Sequence, residues 1–196
     1  EDVLEKPFHW KYPRMIFTNS MSDFFHEEIP FHFIDRVLDI IDRTPHHTYQ
    51  ILTKRSERMM EYSDRIGGFP ENVWCGVTVE SESYKYRIDR LRKVHSRIRF
   101  LSIEPLIGPV GKLDLDDVHW VIVGGESGPN HRPLNLEWAR EIREQCLNKD
   151  VPFFFKQVGG LHPKSGGRLL DGKEWNQYPK SISSPVCRST RVSRRC

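Results

Sequence analysis

The chain has 196 residues, 37% hydrophobic and 29% charged, which suits one soluble globular domain large enough to bury a core. No run of about 18 apolar residues occurs, so no membrane-spanning helix is expected. The net charge of +3 comes from the end of the chain: without Arg188, Arg191, Arg194 and Arg195, 26 basic residues face 27 acidic ones.

Six short β-branched or aromatic runs, each stopping on polar residues, read as buried parallel strands. The first is RMIFTNSMSD (Arg14–Asp23), where Asn19, Ser20, Ser22 and Asp23 form a polar turn able to hold a carboxylate or phosphate. FHFIDRVLDIIDRTP follows as a helix ending before Pro45, with Phe33, Val37, Ile40 and Ile41 on one face. YQILTKR (Tyr49–Arg55) is the second strand, closing on Lys54 and Arg55. SERMMEYSDRIGG is a helix with Ser56 as the expected cap and Gly67–Gly68 as its stop. VWCGVTVE (Val73–Glu80) puts Thr78 and Glu80 on one face, alternating with Val77 and Val79.

Ser81–Val94 is a third helix with Tyr84, Ile88 and Leu91 as its apolar stripe. FLSIEPL (Phe100–Leu106) leaves Glu104 at a strand terminus, where a carboxylate needs a cation or a raised pKa. LIGPVGKLDLDD is too short for a crossover helix and reads as a loop. WVIVGGESG (Trp120–Gly128) ends on Gly124 and Gly125, which let a ligand approach the backbone, and on Glu126, an acceptor for an ammonium or for hydroxyls. Asn135–Asp150 is a helix capped by Asn135, with Leu136, Ala139, Ile142 and Cys146 inward. FFFKQVGG (Phe153–Gly160) offers Lys156 and Gln157 after three core aromatics.

In barrels and open α/β sheets, ligands sit at the carboxyl ends of the strands, so these endings predict a shared pocket. Six strands with crossovers imply an α/β chain of about six βα units curled into a partial, TIM-like barrel, since a full eight-unit barrel takes about 250 residues. Residues 1–180 are expected as one domain and 181–196 as a Ser/Arg-rich disordered tail. The histidines, with His46 and His47 before a strand and His26 and His32 in a loop, lack zinc-pair spacing, so no metal site is expected. EDVLEKPFHW lacks the marks of a secretory signal, and four widely spread cysteines form no disulfide framework, which favours the cytoplasm.

The series TNSMSD, ILTKR, GVTVE, LSIEPL, VIVGGESGP and FFFKQ, followed by PKSGGRLLDGKEW, resembles an uncharacterised bacteriophage-protein family found also in bacterial chromosomes. That family is similar to radical-SAM barrels of the spore photoproduct lyase type. The resemblance spans about Tyr12 to Pro179 and implies a radical-SAM-type partial barrel that binds S-adenosylmethionine. It implies that the Thr78–Glu80 strand meets ribose and that the TNSMSD turn meets the methionine part. Fuller members carry three closely spaced cysteines upstream that hold an iron–sulfur cluster. Cysteines at 75, 146, 187 and 196 are too far apart to replace them, so a cluster is expected only where that segment is present. The expected function is binding of S-adenosylmethionine or a nucleoside-like ligand, with the substrate unknown. The alternative is a non-catalytic nucleotide- or nucleic-acid-binding protein on the same scaffold.

Overall fold

The computed structural model describes residues 4–18, 22–162 and 165–180. Six strands, β1 (Met15–Phe17), β2 (Thr48–Thr53), β3 (Val73–Thr78), β4 (Ile98–Ile103), β5 (Trp120–Gly124) and β6 (Phe153–Gln157), lie side by side in chain order, all parallel. The sheet curls into a half-barrel, a partial TIM-like architecture. A short α1 (Lys6–His9) precedes β1, and α2 (Phe31–Asp42), α3 (Ser56–Ile66), α4 (Tyr86–Arg92) and α5 (Leu136–Asn148) fill four of the five crossovers. The crossover from β4 to β5 has no helix. None of the described helices is long and apolar enough to cross a membrane.

Alternation decides what each strand buries. Tyr49, Ile51, Val73, Cys75, Val77, Leu101, Ile103, Val121, Val123, Phe153 and Phe155 join the helix side chains in one hydrophobic cluster. The opposite residues, Trp74, Phe100, Trp120 and Phe154, pack ring to ring on the inner face, with Trp120 contacting each of the other three at 5.9 Å between centroids. Gly76 sits directly against Phe100: a Cβ there would lie 2.4 Å from the ring.

The β6 edge is covered by the returning chain, where Phe155 N donates to Trp175 O at 2.8 Å and Gln177 N to Phe153 O at 3.2 Å. Covered edges keep a sheet from pairing with other chains. The small hairpin of β7 (Leu169–Leu170) and β8 (Lys173–Glu174) belongs to this return.

The helix stripes are shifted from expectation. In α2 the buried residues are Ile34, Val37, Leu38 and Ile41, while Phe33 and Ile40 are only half-buried. Ser56 is the first helical residue of α3 rather than its cap, and its buried hydroxyl has no partner among the described residues. Gly67 ends that helix with φ +73, and Asn135 caps α5 by accepting from Glu137 N at 2.9 Å, both as the spacing predicts. The stripe of α4 contains a surprise: Arg87 is buried beside Ile88 and Leu91. His47, which precedes β2, is buried as well, and His32, expected in a loop, lies inside α2.

Candidate functional site

Two of the predicted carboxylates, Glu80 and Glu104, follow the neighbouring strands β3 and β4 on the carboxyl-end rim. Val79 points into the helix-side core, so Glu80, one residue on, faces the inner side. Its carboxylate lies between two cations, with Lys54 Nζ at 2.5 Å from Oε1 and Arg87 Nη1 at 2.9 Å from Oε2. Arg87 also donates to the Thr78 carbonyl at 2.7 Å and rests over the Tyr84 ring at 4.3 Å. Burial raises the Glu80 pKa, but the Lys54 hydrogen bond and the two positive charges outweigh it, so it stays below the usual glutamate range.

One strand further, Glu104 accepts from Lys156 Nζ at 2.9 Å. Gly124 beside it is explained by that carboxylate: a Cβ there would lie 3.2 Å from it. Beneath the two glutamates, Thr78 and Ser102 are register partners on β3 and β4, each 4% exposed. Neither hydroxyl bonds another described residue, and both open onto the inner face.

The other predicted residues do scaffold work. The Asp23 carboxylate accepts from Thr53 Oγ1 at 2.6 Å, Lys54 N at 3.0 Å and Arg55 Nη1 at 3.0 Å, lacing the β1–α2 loop to the β2–α3 turn. Burial opposes its ionisation, and these donors prevail, holding its pKa below the aspartate norm. Glu126 accepts from Arg132 N, Nε and Nη2 at 2.9, 2.8 and 2.9 Å, which lowers its pKa to about 2; it is taken up by its own loop. Gly125 packs against the Val158 carbonyl, and Gln157 donates to Gly125 O and Ser127 Oγ at 3.3 and 2.9 Å, clamping the two glycine loops together. Ser22 is exposed. Asn19 and Ser20 lie outside the described residues, as do residues 181–196.

Sequence reasoning missed Arg87, Thr53 and Ser102. Arg87 carried a readable signal, since it sits within the stripe of Tyr84, Ile88 and Leu91. Thr53 and Ser102 carried none, because their contacts depend on strand register.

Cavities of about 660 and 470 Å³ open at the opposite, amino end, lined among others by Val118, His119 and Tyr178, and by Trp74 and Pro70. They include none of the predicted site residues, and two of the larger one's acids are already engaged, Asp116 by Lys149 at 2.8 Å and Asp117 by Arg99 at 3.7 Å. In TIM-like sheets the amino end serves stability and the carboxyl end chemistry. The rim is therefore the better candidate.

The described residues do not fit an iron–sulfur cluster. Cys75 and Cys146 are buried, and burial pushes both thiols up to about 12, so neither is a thiolate at neutral pH. Among the described residues, no group of three or more His, Cys, Asp or Glu could hold a metal ion.

The lowered pKa values of Glu80 and Asp23, both partly buried, have a pH signature. A carboxyl that ionises more readily when folded stabilises above its unfolded pKa and loses that contribution as pH falls toward its folded value. Thermal stability should therefore start to fall below pH 4.5 for Glu80, and below 3.8 for Asp23. Melting curves from neutral to acid pH check this, with Asp23→Asn expected to flatten the acid limb. An unchanged slope in that variant would count against the Asp23 assignment.

Nothing among the curated proteins or the solved structures matches the chain. One family model does, over residues 1–179: the chain belongs to DUF5131, a family of proteins of unknown function.

Proposed function

We propose that the carboxyl-end rim binds a small zwitterionic or nucleoside-like ligand, with S-adenosylmethionine the candidate suggested by the resemblance to radical-SAM barrels. The observation that carries this reading is the Lys54–Glu80–Arg87 group next to the Glu104–Lys156 pair, on neighbouring strand ends. Both lysines are about half exposed, whereas Glu80 and Arg87 are each 8% exposed. Binding is then an exchange. The ligand's ammonium replaces Lys54 at Glu80, and its carboxylate takes the released lysine, so no charge is left unpaired. The free Thr78 and Ser102 hydroxyls serve ligand hydroxyls below. When bound, S-adenosylmethionine supplies a sulfonium carrying transferable carbon groups; the residues named here bind and orient it.

A cluster-free nucleoside-binding protein would use the same inner face, and calorimetry separates the two. Under the first reading, S-adenosylmethionine binds and adenosine binds at least tenfold more weakly, because the amino-acid part is read by charge, and about 1.4 kcal/mol is tenfold. Lys54→Met should weaken S-adenosylmethionine by about tenfold, the value of one charge-assisted hydrogen bond. Equal affinities for the two compounds would favour the nucleoside reading. No binding of either would remove the rim as a site.

A further inference from the structure

The segment KPFHWKYPRMIF (Lys6–Phe17) interleaves cations with rings, and no acid occurs between Lys6 and Ser22. Tyr12 is 71% exposed, Met15 48%, Phe17 43% and Phe8 40%. Lys6, Lys11 and Arg14 form no ion pair with a described residue. Exposed aromatic rings without counter-charges are costly to display unless something covers them.

The backbone under these side chains is fixed from both ends by one residue. His47, 1% exposed, accepts at Nδ1 from Arg14 N at 3.1 Å, which places its proton on Nε2, where it donates to the Pro7 carbonyl at 3.0 Å. Thr48 N donates to Arg14 O at 2.8 Å. Trp10 packs edge-on against His47 at 5.7 Å and carries the Arg14 guanidinium over its ring at 4.6 Å. Of the acids beside Phe8, Asp39 pairs with Arg43, which covers the Phe8 ring at 4.9 Å, and Asp35 with Arg65, while Glu5 immediately precedes Lys6.

Cations at intervals neutralise phosphates, and exposed rings between them give bases a face to stack on; together these are the requirements for holding single-stranded nucleic acid. An acidic protein surface would use the cations and leave the rings idle. We propose that Lys6–Phe17 is a binding surface for single-stranded nucleic acid, running along β1 toward the carboxyl-end rim. It stands on this segment alone, whether or not the rim takes S-adenosylmethionine.

The test is fluorescence anisotropy with a labelled oligothymidylate of about 12 nucleotides, within the range of known single-strand sites. The full chain is used with Arg188→Ser, Arg191→Ser, Arg194→Ser and Arg195→Ser, so that those arginines contribute nothing. Binding should persist. Tyr12→Ala should weaken it about fivefold or more through loss of stacking, and Lys11→Met should lower the salt slope of log affinity by about 0.7. Tyr12 is too exposed for its loss to unfold the protein, and a melting curve confirms that. Absence of binding in this background overturns the proposal. So does a Tyr12→Ala variant of unchanged affinity, a duplex bound as well as the single strand, or polyglutamate competing as well as the oligonucleotide.

Discussion

Replacing Arg87 with methionine should lower the stability of the fold by about 3 kcal/mol. Breaking a buried ion pair from one side costs on the order of 3–5 kcal/mol, and Glu80 here retains Lys54, which favours the lower end. The loss has three parts: Glu80 keeps its charge in a site 8% exposed, the Thr78 carbonyl loses its donor, and the Tyr84 ring loses its covering cation. For a chain of this size, each kcal/mol moves the melting temperature by about 2–4 °C, so a drop of about 6–12 °C is expected. The double variant Arg87→Met with Glu80→Leu should recover much of it, because no uncompensated charge remains. Melting curves for the three proteins decide the matter. An Arg87→Met protein that melts within about 1 °C of the parent would show the pair to be energetically idle. The buried arginine makes Glu80 part of the scaffold as well as of the candidate site.

Gly125→Ala should be at least as damaging, and Gly124→Ala should not. A Cβ on Gly125 would lie 1.8 Å from the Val158 carbonyl oxygen, a backbone atom that cannot swing aside. Relief requires parting the loops after β5 and β6, which are joined by Gly125 N to Gln157 O at 2.9 Å, Gly160 N to Glu126 O at 3.0 Å and Gly128 N to Gly160 O at 3.0 Å. Overpacking typically costs about 1–3 kcal/mol, and a backbone clash belongs at the top of that range or beyond it. On Gly124 the nearest atoms to a new Cβ belong to the Glu104 side chain, from 3.2 Å, and that chain can turn. Denaturant titration of both variants should show a loss of about 3 kcal/mol for Gly125→Ala and under about 1 kcal/mol for Gly124→Ala. Gly124→Ala should instead weaken ligand binding at the rim by moving Glu104 away from Lys156. Equal losses in the two variants would mean that the loops are not packed as described.

Much of the architecture was readable because strand and helix periods are local. The six apolar runs ended within two residues of where β1 to β6 end, and the LIGPVGKLDLDD stretch is indeed free of helix. Asn135 and Gly67 act as predicted because a cap satisfies groups only a few residues away. The buried stripe of α2 was misjudged because Phe33, Ile34, Leu38 and Ile40 offer two overlapping apolar faces. Packing against the sheet selected the one with Ile34 and Leu38.

The site was legible in kind and not in pairing. Charged residues at strand ends announced that Lys54, Glu80, Glu104 and Lys156 need partners, since charges so placed are costly alone. That Glu80 is held by Arg87 as well as Lys54, that Asp23 serves Thr53 and Arg55, and that Glu126 closes on Arg132 are results of curl and register. Thus the amino-acid order by itself determined the strands, their sequence and which side chains end them, because hydrophobic periodicity and turn chemistry act over a few residues. Only the tertiary structure decided which carboxylate faces which cation: Lys54 and Glu80 are 26 residues apart and meet from the neighbouring strands β2 and β3, whereas Glu104 and Lys156 are 52 apart and meet across β5.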